Sequence, residues 1–388
     1  MTDTAAIDRI LQAAVTSGSV PGVVAAARNA NGVIYQGAFG RHGVASDAPV
    51  PMDAVFRIAS MTKAITATAA MQLVEQGKLS LDRPAGEILP QLASPQVLEG
   101  FDAAGKPRLR PAKGVITLRK LLTHTAGFVY DTWNAGMNRY AQLTGLPAAR
   151  SGKLAALNAP LGFDPGQRWE YGINIDFAGR MVEAVSGQTL EAYMQRHILA
   201  PLGMRDTTYL LRPGLSSRLV HITARTATGA LEPFEVPAPA EPPEFFPGGG
   251  GLFSTAPDYM AFLGMLLGGG SLNGAHVLRP ETVATMAQNQ MGDLNVLPLK
   301  SSNPILSNDV DLFPDVPKKW GLSFLINTRD LPTGRSAGSL AWAGLYNTYF
   351  WLDPKRRIAG VLMTQILPFV DKPVLRLLDE FESAVYTA

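Results

Sequence analysis

The sequence predicts an α+β fold in which the two ends of the chain form one α/β lobe, an antiparallel sheet flanked by helices. Residues 4–17 place apolar side chains on one face of a helix. Two strand-like runs follow, at 23–27 and 33–39, on either side of Asn31-Gly32, a dipeptide typical of hairpin turns. Strand patterns are sparse between residues 84 and 245 and return from residue 320 onward. We therefore expect an inserted, mostly helical subdomain.

The boundaries of this insertion follow from the order of the patterns. The α/β lobe is assigned to 1–84 and 246–388, and the helical subdomain to 85–245. Six prolines in 232–247 exclude a helix there and predict an extended connector at the far edge of the insertion. The other predicted helices are 61–76, 118–123, 175–186, 190–197, 257–267 and 374–386, and the late strands are 320–327, 339–343, 346–353 and 358–365.

Composition excludes several kinds of protein. Of the 388 residues, 46% are hydrophobic, enough for a large core, while a net charge of +2 leaves no surplus to hold nucleic acid. The chain has no cysteine, so disulfides, thiolate metal sites and a cysteine nucleophile are impossible. The five histidines lack the spacing of a metal site. Because residues 1–4 begin no signal sequence and no apolar run could span a membrane, we expect a cytoplasmic protein.

The first candidate for catalysis is Ser60-Met61-Thr62-Lys63, an S-x-x-K motif at the start of the helix predicted over 61–76. At positions i and i+3, the Ser60 hydroxyl and the Lys63 amine project from the same side of the first turn. The free N–H groups and partial positive charge of a helix N-terminus would stabilise an oxyanion there. Lys63 can act as a base only where burial or a nearby cation lowers its pKa. The alternative is a helix-capping serine followed by a surface lysine.

A second candidate is Tyr171, in a glycine-containing turn before the helix predicted over 175–186. Its phenol, placed between Ser60 and Lys63, could relay a proton to a leaving group. A packed core aromatic is the alternative interpretation.

A third candidate is Trp342-Ala343-Gly344-Leu345, predicted near the end of an edge strand. Gly344 would let a substrate approach the backbone, and the Leu345 N–H could complete an oxyanion hole. A core tryptophan beside a bulge glycine explains the segment equally well.

In order and rough spacing, the S-x-x-K motif, Tyr171 and Trp342-Ala343-Gly344 resemble the three motifs of serine β-lactamase-like enzymes. The resemblance covers nearly the whole chain. Further segments that look like the same superfamily are 77–81, 118–127 and 248–259.

Two departures narrow the resemblance. Class C β-lactamases and D,D-peptidases carry Lys-Thr-Gly as the third motif, whereas Trp342-Ala343-Gly344 is similar to family VIII carboxylesterases and related acyltransferases. In the second motif, Ile173 stands where class C enzymes have asparagine, and Asn174 comes one residue later. The role of that asparagine is therefore not transferred to Asn174.

The resemblance implies a β-lactamase/transpeptidase-like fold with the active site in the cleft between lobe and insertion, and a reaction that needs no cofactor. By the same resemblance, Ser60 attacks an ester carbonyl, and Lys63 and Tyr171 handle its proton. The backbone N–H groups of Ser60 and Leu345 hold the oxyanion. The residues expected to contact the substrate are Phe128, Tyr130, Trp342 and Gly344.

The predicted function is a serine carboxylesterase for short- to medium-chain esters, with acyltransfer or weak β-lactam hydrolysis as side activities. Its partner would be a small-molecule ester rather than nucleic acid or a membrane. The alternatives are a β-lactamase or D-amino-acid peptidase or amidase, and a catalytically silent penicillin-binding-type protein. Trp342 argues against the first, because a carboxylate-bearing β-lactam loses its charge partner. The complete Ser60, Lys63 and Tyr171 set argues against the second.

Other motifs are weaker. Gly334-Arg335-Ser336-Ala337-Gly338 matches G-x-S-x-G, but a strand-like run rather than a helix follows and no histidine comes later. His124, between two threonines, is interpreted as a residue that ties loop backbone together. The glycines at 248–251 suit a turn and are not followed by the Lys-Ser/Thr of a phosphate loop. The irregular stretch 291–319 is expected to border the cleft.

Overall fold

The computed structural model describes residues 4–236 and 242–387. Its α-helices are, in chain order, α1 (Thr4–Thr16), α2 (Thr62–Glu75), α3 (Leu118–Leu122), α4 (Ala135–Thr144), α5 (Asn174–Ser186), α6 (Leu190–Met194), α7 (Pro213–Ser216), α8 (Ala256–Leu267), α9 (Pro280–Ala287) and α10 (Lys372–Thr387). Its strands are β1 (Gly22–Asn29), β2 (Gly32–Gly40), β3 (Phe56–Arg57), β4 (Gln96–Phe101), β5 (Pro107–Pro111), β6 (Thr223–Arg225), β7 (Leu231–Pro233), β8 (Phe253–Ser254), β9 (Ser271–Leu272), β10 (Ala275–His276), β11 (Lys318–Trp320), β12 (Leu325–Asn327), β13 (Leu340–Gly344), β14 (Thr348–Asp353), β15 (Ile358–Met363) and β16 (Ile366–Leu367).

The main sheet joins the two ends of the chain. Within the described residues it has seven antiparallel strands in the order β11-β12-β13-β14-β15-β1-β2. The first strand pairs with one of the last, with Val24 of β1 opposite Met363 of β15. The hairpin predicted at Asn31-Gly32 is confirmed, and the Asn29 side chain accepts the Asn31 N–H at 2.8 Å.

Helices cover both faces of this sheet. Successive residues of a strand point to opposite faces, and β14 illustrates the consequence. Phe350 contacts Tyr259 of α8 on one face, with ring centroids 5.3 Å apart. Trp351 contacts Phe381 of α10 on the other face, at 5.6 Å. Every residue of β14 is buried as a result.

Two strand predictions near the third motif are wrong. The strand expected over 320–327 is divided into β11 and β12 by a turn, in which Ser323 has φ 71° and donates its N–H to Leu122 O at 3.0 Å. β13 is an internal strand rather than an edge. However, β12 pairs only with Leu340 and Ala341, so among the described residues no strand covers Trp342 on that side. At the interruption the chain contacts the end of α3, distant in sequence, because Leu122 O accepts both the Ser323 N–H and the Trp320 indole N–H.

The segment 85–245 contains more strand than its pattern predicted. A hairpin of β4 and β5 lies within it, and β6 pairs in parallel with β16 from the C-terminal part of the chain. The strands β4 and β5 escaped prediction because their partly exposed faces lack an alternating apolar pattern. Of the predicted connector 232–247, residues 237–241 lie outside the described residues. No described helix combines the length and apolar character needed to cross a membrane.

Helix α2 is the central helix of the molecule. Its residues are buried on all sides from Thr62 to Leu73, as expected for a helix surrounded by other elements. It packs against α5 and α6, which belong to the segment 85–245. Helix α2 therefore joins the N-terminal part of the chain to that segment.

Candidate active site

Ser60 lies in a single 3-10 turn, Ala59–Met61, that leads directly into α2. The preceding residue, Ala59, has φ 42°, in the left-handed region that non-glycine residues rarely adopt. Such a conformation costs about 1–3 kcal/mol and persists only where surrounding contacts enforce it. The turn presents Ser60 to a cavity rather than using it as a helix cap, because no side-chain cap bond forms at this helix start.

Lys63 is fully buried, so the alternative of a surface lysine is wrong. Its Nζ lies 3.0 Å from Ser60 Oγ, 3.1 Å from the Tyr130 phenol oxygen and 2.6 Å from Gly249 O. Burial lowers the pKa of Lys63 to about 7, and the nearby Asp176 carboxylate opposes this by favouring the ammonium. The amine is therefore able to lose its proton near neutral pH while it contacts the nucleophile.

Tyr171 stands on the other side of Ser60. Its phenol oxygen accepts the Trp342 indole N–H at 3.0 Å and interacts with the Ser60 hydroxyl. The Lys63 ammonium lies 4.7 Å from the centre of its ring. Burial raises the pKa of Tyr171, although the hydrogen bonds with Ser60 and Trp342 oppose that effect. The phenol is thus neutral at ordinary pH and has a proton to donate.

The end of β13 packs directly beside the 3-10 turn that carries Ser60. A Cβ atom on Gly344 would collide with Ile58 O and with the Thr348 hydroxyl, so only glycine fits there. Leu345, the next residue, lines the same cavity as Ser60. Gly344 therefore makes its close approach to the protein's own backbone before Ser60, and it does not line the cavity where a substrate contact was expected.

The cavity above Ser60 has a volume of about 260 Å³ and mostly apolar walls. Tyr130 and Trp133 form part of one wall, and Leu306 brings the stretch 291–319 to the cleft as expected. Phe128 does not belong to the lining. Its ring instead stacks on Phe177, with centroids 4.3 Å apart.

Trp342 likewise acts beneath the cavity rather than in its wall. It is 4% exposed and contacts Trp320 with ring centroids 4.6 Å apart. Its link to the site is the hydrogen bond with Tyr171.

His124 and Asn174 support the backbone around Tyr171. Asn174 Nδ2 lies 2.9 Å from Phe128 O and 3.1 Å from His124 Nδ1, and the Gly172 N–H donates to that same nitrogen at 3.4 Å. Burial, with a smaller contribution from Lys63, lowers the pKa of His124 well below its usual range, so the ring is neutral. Among the described residues Asn174 makes no hydrogen bond to Lys63. It is therefore not given the role that the asparagine of the second motif has in class C enzymes.

Sequence reasoning missed Asp176 and Arg57 and did not assign Gly249 to catalysis. Asp176 lies in the first turn of α5, 2% exposed, and its carboxylate accepts the Gly249 N–H at 2.8 Å. Burial raises the pKa of Asp176 to about 6, although Lys63 opposes this. Arg57 lines the cavity and makes no ion pair among the described residues. An acidic residue between the apolar Ile175 and Phe177 of the predicted helix was the one available signal, for Asp176.

Ser336, the serine of the G-x-S-x-G match, lies away from the cavity. Ser336 is in the connection between β12 and β13, where its N–H donates to Asp353 at 2.8 Å and its hydroxyl bonds to the same carboxylate. It is not part of the cavity lining. Within 4–236 and 242–387, no group of three or more histidine or acidic side chains is arranged to hold a metal ion.

Serine β-lactamases and their relatives are the class of protein in which a Ser–Lys pair opens a central helix between an α/β lobe and an inserted subdomain. This chain belongs to the Beta-lactamase family, whose sequence model matches residues 7–381. The predicted α+β class and β-lactamase-like fold are thereby confirmed.

The chain is similar to acyltransferases and to an esterase. It is 35% identical to monacolin J acid methylbutanoyltransferase of Aspergillus terreus, over 96% of this chain and 93% of that protein. It is 32% identical to lovastatin esterase of Penicillium rubens, over 94% of each. The unliganded structure of simvastatin synthase (LovD) from Aspergillus terreus superposes with a TM-score of 0.85 at 32% identity, covering 100% of this chain and 99% of that one.

Proposed function

We propose that the protein is a serine carboxylesterase that forms an acyl-enzyme on Ser60. The observation that carries the proposal is the fully buried Lys63 amine, 3.0 Å from Ser60 Oγ and with a pKa lowered to about 7. A neutral amine at that distance can take the hydroxyl proton as the oxygen attacks. The similarity to an esterase and to acyltransferases supports ester chemistry.

In the proposed reaction, Ser60 Oγ bonds to the ester carbonyl carbon while its proton passes to Lys63. The N–H groups of Ser60 and Leu345 stabilise the oxyanion. As the bond to the alcohol breaks, the departing oxygen takes a proton from Tyr171, which recovers one from Lys63. Water then attacks the acyl-enzyme and releases the acid, with the same groups working in reverse.

Acyltransfer is the second candidate, because a protein named as a methylbutanoyltransferase is 35% identical to this chain over 96% of its length. The chemistry is the same, except that an alcohol replaces water in the second step. Measuring the partition of the acyl group between water and an added alcohol separates the two activities.

The walls also indicate a substrate class. Most of the cavity is apolar, and its charged lining residues are Arg57 and Arg150 together with Asp131 and the buried Asp176, whose charge is directed at Lys63. Burial lowers the pKa of Arg57, yet a guanidinium stays protonated in proteins. We therefore propose that the preferred ester or acceptor joins an apolar body to an acidic or strongly polar group.

The test is mass spectrometry after reaction with p-nitrophenyl butyrate or a phosphonate ester. Wild type should carry an adduct on Ser60, and Ser60→Ala should carry none and lose turnover. Ser336→Ala is the matched control and should label like wild type. Absence of both adduct and turnover in wild type would reject the esterase in favour of a peptidase or a silent binding protein.

A further inference from the structure

Asp176 and Lys63 hold the same glycine from opposite sides. Asp176 Oδ1 accepts the Gly249 N–H at 2.8 Å, and Lys63 Nζ donates to Gly249 O at 2.6 Å. Both side chains are buried, at 2% and 0% exposure. A buried carboxylate is costly unless donors and a cation compensate it. Here the Gly249 N–H does so, and so does Lys63 while it is protonated.

Neighbouring side chains leave little room for a side chain at Gly249. A Cβ on Gly249 would lie 3.0 Å from Asp176 Oδ2 and 3.0 Å from the Tyr130 phenol oxygen. The neighbouring Gly248 O accepts the Thr66 hydroxyl at 2.7 Å. The glycine loop is therefore fixed between α2 and α5, with the Gly249 carbonyl aimed at Lys63.

The electrostatic environment of Lys63 can be stated group by group. The titratable and polar groups that face it are Ser60 from its own helix start, Tyr130, Tyr171, His124 and Asp176. Burial raises the pKa of both tyrosines and lowers that of His124, so these three are neutral. Within the described part of the chain, Asp176 is thus the group that supplies negative charge to Lys63.

We propose that Asp176 is a positioning residue for acylation, a role that rests on the proposed esterase function: it fixes Gly249 as an acceptor for Lys63 and places a negative charge beside the amine. Burial alone would leave Lys63 a weak base. The carboxylate restores part of its basicity, so that the amine is free near neutral pH and can still take the Ser60 proton.

The first test does not depend on turnover. Protein carrying ¹³C-labelled lysine is titrated by NMR, and the Lys63 signal is assigned by its absence from Lys63→Ala. Asp176→Asn keeps an acceptor for the Gly249 N–H but removes the charge, so Lys63 should titrate about 1 pH unit lower. Asp258→Asn is the matched control. Asp258 likewise lies in the first turn of a helix, α8, and its carboxylate accepts a loop N–H, that of Asp206, at 2.8 Å. An unchanged Lys63 titration in Asp176→Asn overturns the proposal.

The second test uses p-nitrophenyl butyrate. In Asp176→Asn the acid limb of kcat/KM should move to lower pH by the same amount. Asp176→Ala also removes the acceptor for the Gly249 N–H. In this variant the plateau value of kcat/KM should fall on the order of tenfold or more. A wild-type adduct on Ser60 together with an unshifted acid limb in Asp176→Asn contradicts the positioning role. A shifted Lys63 titration without any wild-type adduct supports the Asp176–Lys63 coupling and rejects the esterase instead.

Discussion

The Trp342 indole N–H donates to the Tyr171 phenol oxygen at 3.0 Å. An indole nitrogen can only donate, so the phenol is the acceptor and its own hydrogen remains available to Ser60. Class C β-lactamases resembled by this chain carry lysine at the Trp342 position. Here a tryptophan stands at that position, and it orients the tyrosine from below the cavity.

Trp342→Phe keeps the aromatic packing and removes this donor. We expect kcat for p-nitrophenyl butyrate to fall about fivefold, which corresponds to a hydrogen bond worth about 1 kcal/mol. Trp320→Phe is the control, because Trp320 donates instead to Leu122 O at 3.2 Å. Equal losses of kcat in the two variants would show that packing, rather than the bond to Tyr171, matters.

Tyr171→Phe removes the proton donor with little change in volume. Turnover of p-nitrophenyl butyrate should fall by about 100-fold or more, while the melting temperature stays near that of wild type. Tyr35→Phe, which removes a phenol bonded to Asp8 at 2.8 Å, should retain turnover. Near-normal turnover by Tyr171→Phe would exclude the phenol from the mechanism.

The pH profile should report the titration of Lys63. Only the neutral amine can accept the Ser60 proton, and burial lowers the pKa of Lys63 to about 7. Activity is therefore present above about pH 7 and is lost as the pH falls below it. The measurement is kcat/KM for p-nitrophenyl butyrate, with the fold monitored by circular dichroism at each pH. A profile that stays flat down to about pH 5 would remove Lys63 as the base.

Arg57→Ala should separate acidic from neutral substrates. For a p-nitrophenyl ester with a terminal carboxylate, KM should rise about tenfold, as expected for a lost hydrogen bond to a charged group. KM for p-nitrophenyl butyrate should hardly change. A similar rise for both esters would mean that Arg57 shapes the cavity, in which it lies 5.7 Å from the Phe253 ring centre, rather than binding an anion.

A stability prediction concerns the ion pair that joins α10 to Arg335. Arg335 and Glu382 form an ion pair in which each side chain is 2% exposed. Glu382→Gln leaves the guanidinium buried without its charge partner and should lower the free energy of unfolding by about 3–5 kcal/mol. Asp47→Asn breaks the exposed Arg41–Asp47 pair and should leave the free energy of unfolding nearly unchanged. Urea unfolding measures both, and equal costs would contradict the argument.

Much of the fold was predictable because its signals are local. The Asn31-Gly32 hairpin, helix α2 and the late strands β13 to β15 each depend on a few adjacent residues. The β4–β5 hairpin was not predictable, since its partly exposed strands lack alternation. At the break between β11 and β12, the Ser323 N–H donates to the carbonyl of Leu122, about 200 residues away, a contact that no local pattern announces.

The sequence by itself determined which groups carry the proposed chemistry: a serine and a lysine one helical turn apart, a tyrosine in a turn, and a glycine ending a strand beside Leu345. Their spacing within short segments follows from backbone geometry. Only the tertiary structure decided their surroundings. Burial of Lys63, the Trp342–Tyr171 bond and the Asp176–Gly249–Lys63 arrangement join segments far apart in the chain. Protonation depends on desolvation and on nearby charges, which exist only once those segments have packed together.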